Sequence, residues 1–263
     1  MKNKILLLNI LMVVIIMAGL GYMGRHRLAT AWHEWLTEPE PVPLTYDQII
    51  NERINQNANL LVNQNAANPP AVVIPSEMNL AVPFTTQAPL VNWDEQHEES
   101  CEEAAALIVH YYWQKKTFTP ELANTELQTI VDYENQTLGF YKDTTAEETA
   151  QFIRGLWGYD KVEVKYDITL DDIKAEVAEG RPVIVPTAGR KLGNPNFKQP
   201  GPLYHMIVIR GWTDDMIITN DPGTRKGEGY QYSPEVIMNA IHDWNNGDVD
   251  NGRSAMIVVW PNN

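Results

Sequence analysis

The sequence has few of the residues that build disulfide frameworks, metal sites or nucleic-acid-binding surfaces. Cys101 is the single cysteine, so the chain can form neither an intramolecular disulfide nor a cysteine-built zinc site. Only 20 lysines and arginines stand against 34 aspartates and glutamates, for a net charge of −14. Such an acidic chain repels phosphate backbones, which argues against nucleic-acid binding. Hydrophobic residues at 44% and charged residues at 21% exclude collagen, a coiled coil and wholesale disorder.

Basic residues gather at the N-terminus, around a long apolar segment. Residues 1–36 hold four basic residues and one acidic residue, a balance of 4 − 1 = +3. Residues 5–23 are apolar except for the strongly polar Asn9. A run of about 18 apolar residues is long enough to cross a bilayer. The residues after Met17 match a signal-peptidase site poorly, so an uncleaved signal anchor is favoured over a cleaved signal peptide. We expect a single-pass protein with its N-terminus inside and the rest of the chain extracytoplasmic.

Composition divides the chain into three regions. Residues 1–36 are predicted to be an N-terminal signal anchor, or transmembrane helix, with a juxtamembrane segment. Residues 37–80 are rich in proline and asparagine and are predicted to be a linker, with a short helix from Tyr46 and a free tether from Asn55. Residues 81–263 are predicted to form one packed domain.

Periodicity within this domain predicts helices first and clustered strands later. Helices are predicted over residues 101–114, 120–134, 145–157, 169–179 and 234–244. Strands are predicted over residues 183–185, 204–212, 216–219 and 254–260. This order indicates an α+β fold, with N-terminal helices packed on a mostly antiparallel sheet.

Three residues in this pattern could carry nucleophilic chemistry. Cys101 begins a predicted helix, where main-chain N–H groups and the helix dipole favour a thiolate. His205 lies in an apolar strand as a candidate base, and Asp221 ends the next strand, 16 residues later. The alternatives are a buried structural cysteine, a core histidine and a turn aspartate.

Four motifs carry a resemblance to a known family. They are VPFTTQ at 82–87, SCEEAAALIVHYYW at 100–113, YHMIVIRGW at 204–212 and ITNDPG at 218–223. In this order they resemble papain-like cysteine peptidases of the bacteriocin-leader-processing type, the C39-like peptidases. The resemblance covers about residues 81–263. The tracts PVIVPTAGRKLGNPNF and NDPGTRKGEGYQYS are similar to a bacterial subset of that group.

The resemblance implies a papain-like fold and a role for each matching residue. Cys101 would be the nucleophile, His205 the general base and Asp221 the group that orients His205. Gln87 would help to bind the oxyanion, although it lies 14 residues before Cys101, and Gln96, five before it, competes for this role. No metal or organic cofactor is implied, and the substrate would be a peptide or protein.

Two glutamates distinguish this chain from the broader pattern. Many family members have Gly-Pro or Gly-Ala after the cysteine, where this chain has Glu102 and Glu103. Glu103 would form a capping box with Ser100, while Glu102 would oppose ionisation of Cys101. The alternative is that both side chains point into solvent and stabilise the helix start.

The sequence therefore predicts a membrane-anchored, extracytoplasmic cysteine peptidase. The membrane contact would be the N-terminal helix, with no nucleic-acid partner and an undetermined oligomeric state. An acyl or peptidyl transferase could use the same triad, and a non-catalytic peptide-binding module could share the fold. His97 and His110 lack metal-ligand spacing and are not expected to bind a metal.

Overall fold

The structure, a computed structural model, describes residues 28–63 and 74–262 and divides into two compact units between Thr37 and Glu38. The predicted anchor at residues 5–23 lies outside the described residues. In the first unit residues 28–36 are helical, and the rings of the exposed Trp32 and Trp35 lie 5.2 Å apart. Each helix in the described ranges is too short or too polar to span a membrane.

The second unit combines helices and strands in the predicted order. Its α-helices are α1 (Tyr46–Asn63), α2 (Glu95–Glu98), α3 (Cys101–Gln114), α4 (Pro120–Thr137), α5 (Ala146–Trp157), α6 (Leu170–Ala178) and α7 (Pro234–Ala240). Its strands are β1 (Met78–Asn79), β2 (Val162–Tyr166), β3 (Val183–Ala188), β4 (Tyr204–Trp212), β5 (Ile217–Asn220), β6 (Tyr230–Tyr232) and β7 (Ala255–Val259). Short 3-10 helices cover Gly189–Leu192 and Val249–Asn251.

The strands form one antiparallel sheet in which β4 is central. Their order is β2-β7-β3-β4-β5-β6, and β1 pairs with the far end of β4. Every residue of β4 is buried, as expected for a strand covered on both faces. Gly211 is required where β1 crosses, because a Cβ there would lie 2.1 Å from the main-chain oxygen of Met78. The predicted α+β fold with an antiparallel sheet is confirmed.

Local signals explain most element boundaries. Thr145 caps α5 and forms a capping box with Glu148, and Gly158 ends the helix at φ 67°. The helix predicted over 234–244 is wrong in length, because Ile241 is extended and pairs with Thr187. The prediction lacks β1, β2 and β6: β1 has only two residues, β2 is mostly half-buried, and β6 has only three residues.

Parts of the predicted linker pack against the sheet of the same unit. Gln231 on β6 donates through Nε2 to the Glu38 carbonyl at 2.7 Å, and Arg210 on β4 pairs with Glu40. Ile49 on α1 is 4% exposed and belongs to the hydrophobic core. Helix α1 continues to Asn63, whereas a tether was expected from residue 55. Residues 64–73 of the predicted linker lie outside the described ranges.

Helix α3 runs through the core and packs against β4, α4 and α5. Its predicted apolar face is buried, but so is nearly every other side of the helix. Glu102 and Glu103 are among these buried residues, so the alternative that they point into solvent is wrong. Two carboxyl groups therefore lie in the core beside the candidate nucleophile.

Candidate active site

Cys101 lies at the first turn of α3, against the middle of the sheet. Its side chain is 5% exposed, and its thiol donates a hydrogen bond to Oε2 of Glu102 at 3.0 Å. A main-chain hydrogen bond from Met206 also reaches the sulfur. Met206 follows His205 directly on β4, so the fold brings the cysteine and the strand of the candidate base together.

The surroundings of Cys101 favour the neutral thiol in this structure. Burial raises its pKa well above the ordinary value, and the negative charge and hydrogen bond of Glu102 raise it further. The main chain of Met206 acts in the opposite direction but does not compensate. The expectation that the helix start produces a thiolate is therefore not met in this state, because desolvation outweighs the helix dipole.

The structure brings His205 and Asp221 into direct contact. Nε2 of His205 and Oδ1 of Asp221 lie 2.8 Å apart, and both side chains are fully buried. This contact results from the antiparallel pairing of β4 with β5, in which Val208 lies opposite Asn220. Asp221 follows Asn220 directly and therefore lies toward the His205 end of β4. With Nε2 held by the carboxylate, Nδ1 is the ring nitrogen left to accept a thiol proton.

Asp221 is fixed by further donors at both of its oxygens. Oδ1 also accepts from the Gly223 N–H at 3.0 Å. Oδ2 accepts from the Tyr232 hydroxyl at 2.6 Å and from Asn194 Nδ2 at 3.2 Å. Burial alone would raise the pKa of Asp221, but His205 and these hydrogen bonds outweigh it and hold the pKa below its ordinary value. The carboxylate is therefore charged and rigidly placed.

Asn194 and Tyr232 contact the Asp221 carboxylate of the candidate site, and the sequence analysis missed both. Asn194 Nδ2 also bonds the Tyr232 hydroxyl at 2.8 Å, which closes the network around the carboxylate. Both residues lie in the two tracts that resemble the bacterial subset, so those tracts contained a signal. Their positions follow only from the fold, which brings the end of β6 and the loop after Leu192 to the Asp221 carboxylate.

The His205 ring is also held by close packing. The Phe197 ring meets it edge-on, with centroids 5.3 Å apart. A Cβ on Gly223 would lie 2.8 Å from Cε1 of His205, closer than real Cβ contacts allow. The main chain of His205 is also held, because Thr187 Oγ1 donates to its carbonyl at 2.8 Å. The imidazole is thus confined to one orientation.

Gln87 lies between the Asp221 loop and the segment before Cys101. Its main-chain N–H donates to the Pro222 carbonyl at 3.0 Å. Its Nε2 donates to the carbonyls of His97 and Glu98, at 2.8 and 3.0 Å. Both amide hydrogens are therefore engaged here, and one must be released before Gln87 can bind an oxyanion.

The competing Gln96 points elsewhere. Its Nε2 donates to Oε1 of Gln128 on the exposed side of α4, at 3.0 Å. Of the two glutamines, only Gln87 joins the Asp221 loop to the segment that leads into Cys101. This placement favours Gln87 over Gln96 for the oxyanion role.

A group of buried carboxyls surrounds the first turn of α3. Glu102, Glu103 and Glu134 of α4 are all buried. Burial raises the pKa of Glu102 to about 8 and that of Glu134 to about 9, and it raises the pKa of Glu103 as well. The predicted capping box is wrong, since Ser100 donates to the Gln96 carbonyl and does not cap α3.

The other histidines weighed for a site have structural partners. His97 contacts Asp94 through Nδ1 at 2.7 Å and Asn124 through Nε2 at 3.0 Å. His110 stacks on Trp157, with centroids 4.2 Å apart. Within residues 28–63 and 74–262, His, Cys, Asp and Glu side chains form no group of three arranged to hold a metal.

Comparisons with known proteins identify the family of this chain. The family described as "Peptidase_C39 like family" matches residues 79–247, more than half of the chain. None of the curated proteins compared matches it. The crystal structure of a candidate C39-like peptidase from Bacillus anthracis is similar, with TM-score 0.46 and 13% identity, over 73% of this chain and 99% of that one. Since this family model covers more than half of the chain, the chain belongs to the C39-like peptidase family and has a papain-like α+β fold.

Proposed function

We propose that this chain is a cysteine peptidase that hydrolyses peptide bonds through a thioester at Cys101. The observation that carries the proposal is the buried His205–Asp221 contact of 2.8 Å, on the strand whose next residue reaches the Cys101 sulfur. A cysteine at a helix start and an imidazole oriented by a carboxylate are the components of catalysis by a thiol nucleophile. Gln87 completes the proposed set as an oxyanion donor.

The proposed reaction follows from the positions of these groups. The Cys101 thiol passes its proton to Nδ1 of His205, and the thiolate forms a C–S bond with the substrate carbonyl carbon. The resulting oxyanion is bound by the Cys101 main-chain N–H and by the Gln87 amide. When the C–N bond breaks, the leaving amine takes the proton from His205. Water then gives a proton to His205 and attacks the thioester carbon. The C–S bond breaks, the acid leaves, and His205 returns the proton to the sulfur.

Access to the thiol requires movement of the structure. Cys101 and His205 are nearly inaccessible to solvent. Lys198 also joins Glu98 at 2.6 Å, linking the loop of Phe197 to the segment just before Cys101. A substrate peptide must displace covering side chains before its carbonyl can reach the sulfur.

The test is peptide cleavage by the full-length chain purified in a mild detergent. A peptide library analysed by mass spectrometry should show cleavage by wild type and none by Cys101→Ala. His205→Ala should be nearly as inactive, and Asp221→Asn should retain more activity because the imidazole is still present. His242→Gln is the matched control, since it changes a half-buried histidine outside the pair. Unchanged cleavage by Cys101→Ala would refute the proposal.

Two alternatives are separated by the same assay. Products in which an added amine or thiol is joined to the peptide would indicate acyl or peptidyl transfer. Peptide binding without cleavage, and without labelling of Cys101 by a cysteine-directed activity probe, would indicate a binding module. The library would also define the preferred peptide sequence.

We further propose that the N-terminal segment anchors the chain in a membrane, with the domain outside the cytosol. The proposal rests on the apolar residues 5–23 and the basic residues around them. Protease added to spheroplasts should digest the domain, and a reporter active only in the cytosol should be silent when fused after residue 263. An active reporter would reverse the orientation.

A further inference from the structure

Glu102 competes directly for the proton of the candidate nucleophile. The Cys101 thiol donates to its Oε2 at 3.0 Å, and both side chains are buried. A thiol has one proton, so while it is donated to Glu102 it cannot be donated to His205. The other carboxyl oxygen, Oε1, is buried and has no hydrogen-bond partner among the described residues. The contact with Cys101 is therefore the main polar contact made by this carboxyl group.

We propose that Glu102 is a further catalytic residue, a proton-dependent switch that decides whether Cys101 can become a thiolate. This inference rests on the proposed function and deepens it. As a carboxylate, Glu102 accepts the thiol hydrogen bond and keeps the sulfur protonated. As a carboxylic acid, it keeps its proton and donates a hydrogen bond to the sulfur, which stabilises the thiolate.

The proton balance of the two states differs. With Glu102 protonated, the thiol proton moves to Nδ1 of His205, and the product is a thiolate that accepts a hydrogen bond from the acid. The imidazolium formed in that step faces the charged Asp221 carboxylate. With Glu102 ionised, the same transfer would place two negative charges in direct contact inside the protein, which is strongly unfavourable. The active form therefore requires the proton on Glu102.

The groups around Glu102 favour that protonated form. Burial raises its pKa to about 8, while the thiol and main-chain hydrogen bonds lower it only in part. The titratable groups that face Glu102 lie on α3 itself and on the elements packed against its first turn. Most of these groups are acidic. These groups are Cys101, Glu103, Glu99, Asp143, Glu134 and Tyr204, with Lys142 acting on Glu99 and Asp143. Glu102 thus carries its proton near neutral pH and loses it above about pH 8.

Glutamine at position 102 separates a switch from a structural role. Its amide keeps the shape of the protonated acid and can still donate to the sulfur, but it cannot ionise. Glu103→Gln is the matched control, because it removes the adjacent buried carboxyl, which acts on Cys101 only through its charge. Cys101 is the sole cysteine, so alkylation of the chain reports on this thiol alone.

The experiment measures iodoacetamide alkylation of the full-length chain from about pH 5 to about pH 10. Wild type should show two steps, since an interacting pair titrates in two stages, one of them near pH 8. Glu102→Gln should show one step, with its midpoint lower by about one pH unit or more. Glu103→Gln should keep both steps. With a cleaved peptide, the alkaline fall of kcat/KM near pH 8 should also disappear in Glu102→Gln.

Each outcome decides the inference. An unchanged alkylation profile in Glu102→Gln, or an equal shift in Glu103→Gln, would overturn it. If Glu102→Gln does not fold, as judged by near-UV circular dichroism, the wild-type profile decides, and a single step would overturn the switch. Because alkylation needs no substrate, a shifted profile in a chain that cleaves no peptide would refute the proposed peptidase and keep the switch. Retained peptide cleavage with an unshifted alkylation profile would refute the switch and keep the proposed peptidase.

Discussion

Replacing Glu134 by glutamine should change how the stability of this protein depends on pH. Glu134 on α4 faces Glu103 on α3, and both carboxyl groups are buried. Among the described residues, no hydroxyl, amide or cationic donor reaches any of their four oxygens. Two carboxylates cannot occupy such a site together, so the pair holds at least one proton in the folded state.

The magnitude follows from this retained proton. Burial raises the pKa of Glu134 to about 9, with a further contribution from the Glu102 charge. In the unfolded chain a glutamate ionises near pH 4.3. Between this pH and the folded pKa, the folded state therefore binds one proton more than the unfolded state. Stability from this group is fully present below about pH 4 and is lost as the pH rises toward the folded pKa. The free energy of unfolding should fall by about 1.4 kcal/mol per pH unit for each retained proton.

The assay is urea unfolding of the full-length chain at several pH values between about 5.5 and 7.5. Over these two pH units one retained proton lowers the free energy of unfolding by about 3 kcal/mol. Glu134→Gln should remove that part of the slope and be more stable than wild type at the upper end. Asp132→Asn on the same helix is the control, since its carboxylate is exposed. Equal slopes for wild type and Glu134→Gln would refute the reasoning.

Three further predictions concern the candidate site. Gln87→Ala should lower kcat by about a hundredfold with little change in KM, while Gln96→Ala should be near neutral; the reverse ranking in steady-state kinetics would reassign the oxyanion role. Gly223→Ala should lower kcat at least about tenfold, because the added Cβ would lie 2.8 Å from the His205 ring, and a wild-type rate would show that the ring tolerates displacement. Tyr232→Phe removes a hydroxyl donor from the orienting carboxylate and should lower kcat about tenfold, whereas a change confined to thermal stability would make its role structural.

The sequence determined the elements with strong local signals. The bounds of α3 match its predicted range, and the cap of α5 at Thr145 and the end at Gly158 follow from local chemistry. Strand β4 matches because its apolar run has few alternatives to a buried strand. Hydrogen bonds between near neighbours and side-chain periodicity fix these features before any tertiary contact forms.

The candidate site was predicted in part. Cys101, His205 and Asp221 could be selected from the sequence because each occupies the start or end of a predictable element. The roles of Asn194 and Tyr232 could not, since both reach Asp221 through contacts between residues distant in sequence. Their positions depend on the path of the loop that carries Asn194 and on the pairing of β6 with β5, which no local pattern encodes.

Only the tertiary structure decided the environment of the nucleophile. The sequence shows Glu102 and Glu103 at a helix start, where exposed carboxylates would interact favourably with the helix dipole. Helix α3 is instead enclosed by the sheet and by α4 and α5, so both carboxyls are buried and their pKa values rise. Burial depends on what packs around a residue, and desolvation, which dominates the titration of these groups, is therefore a property of the assembled fold.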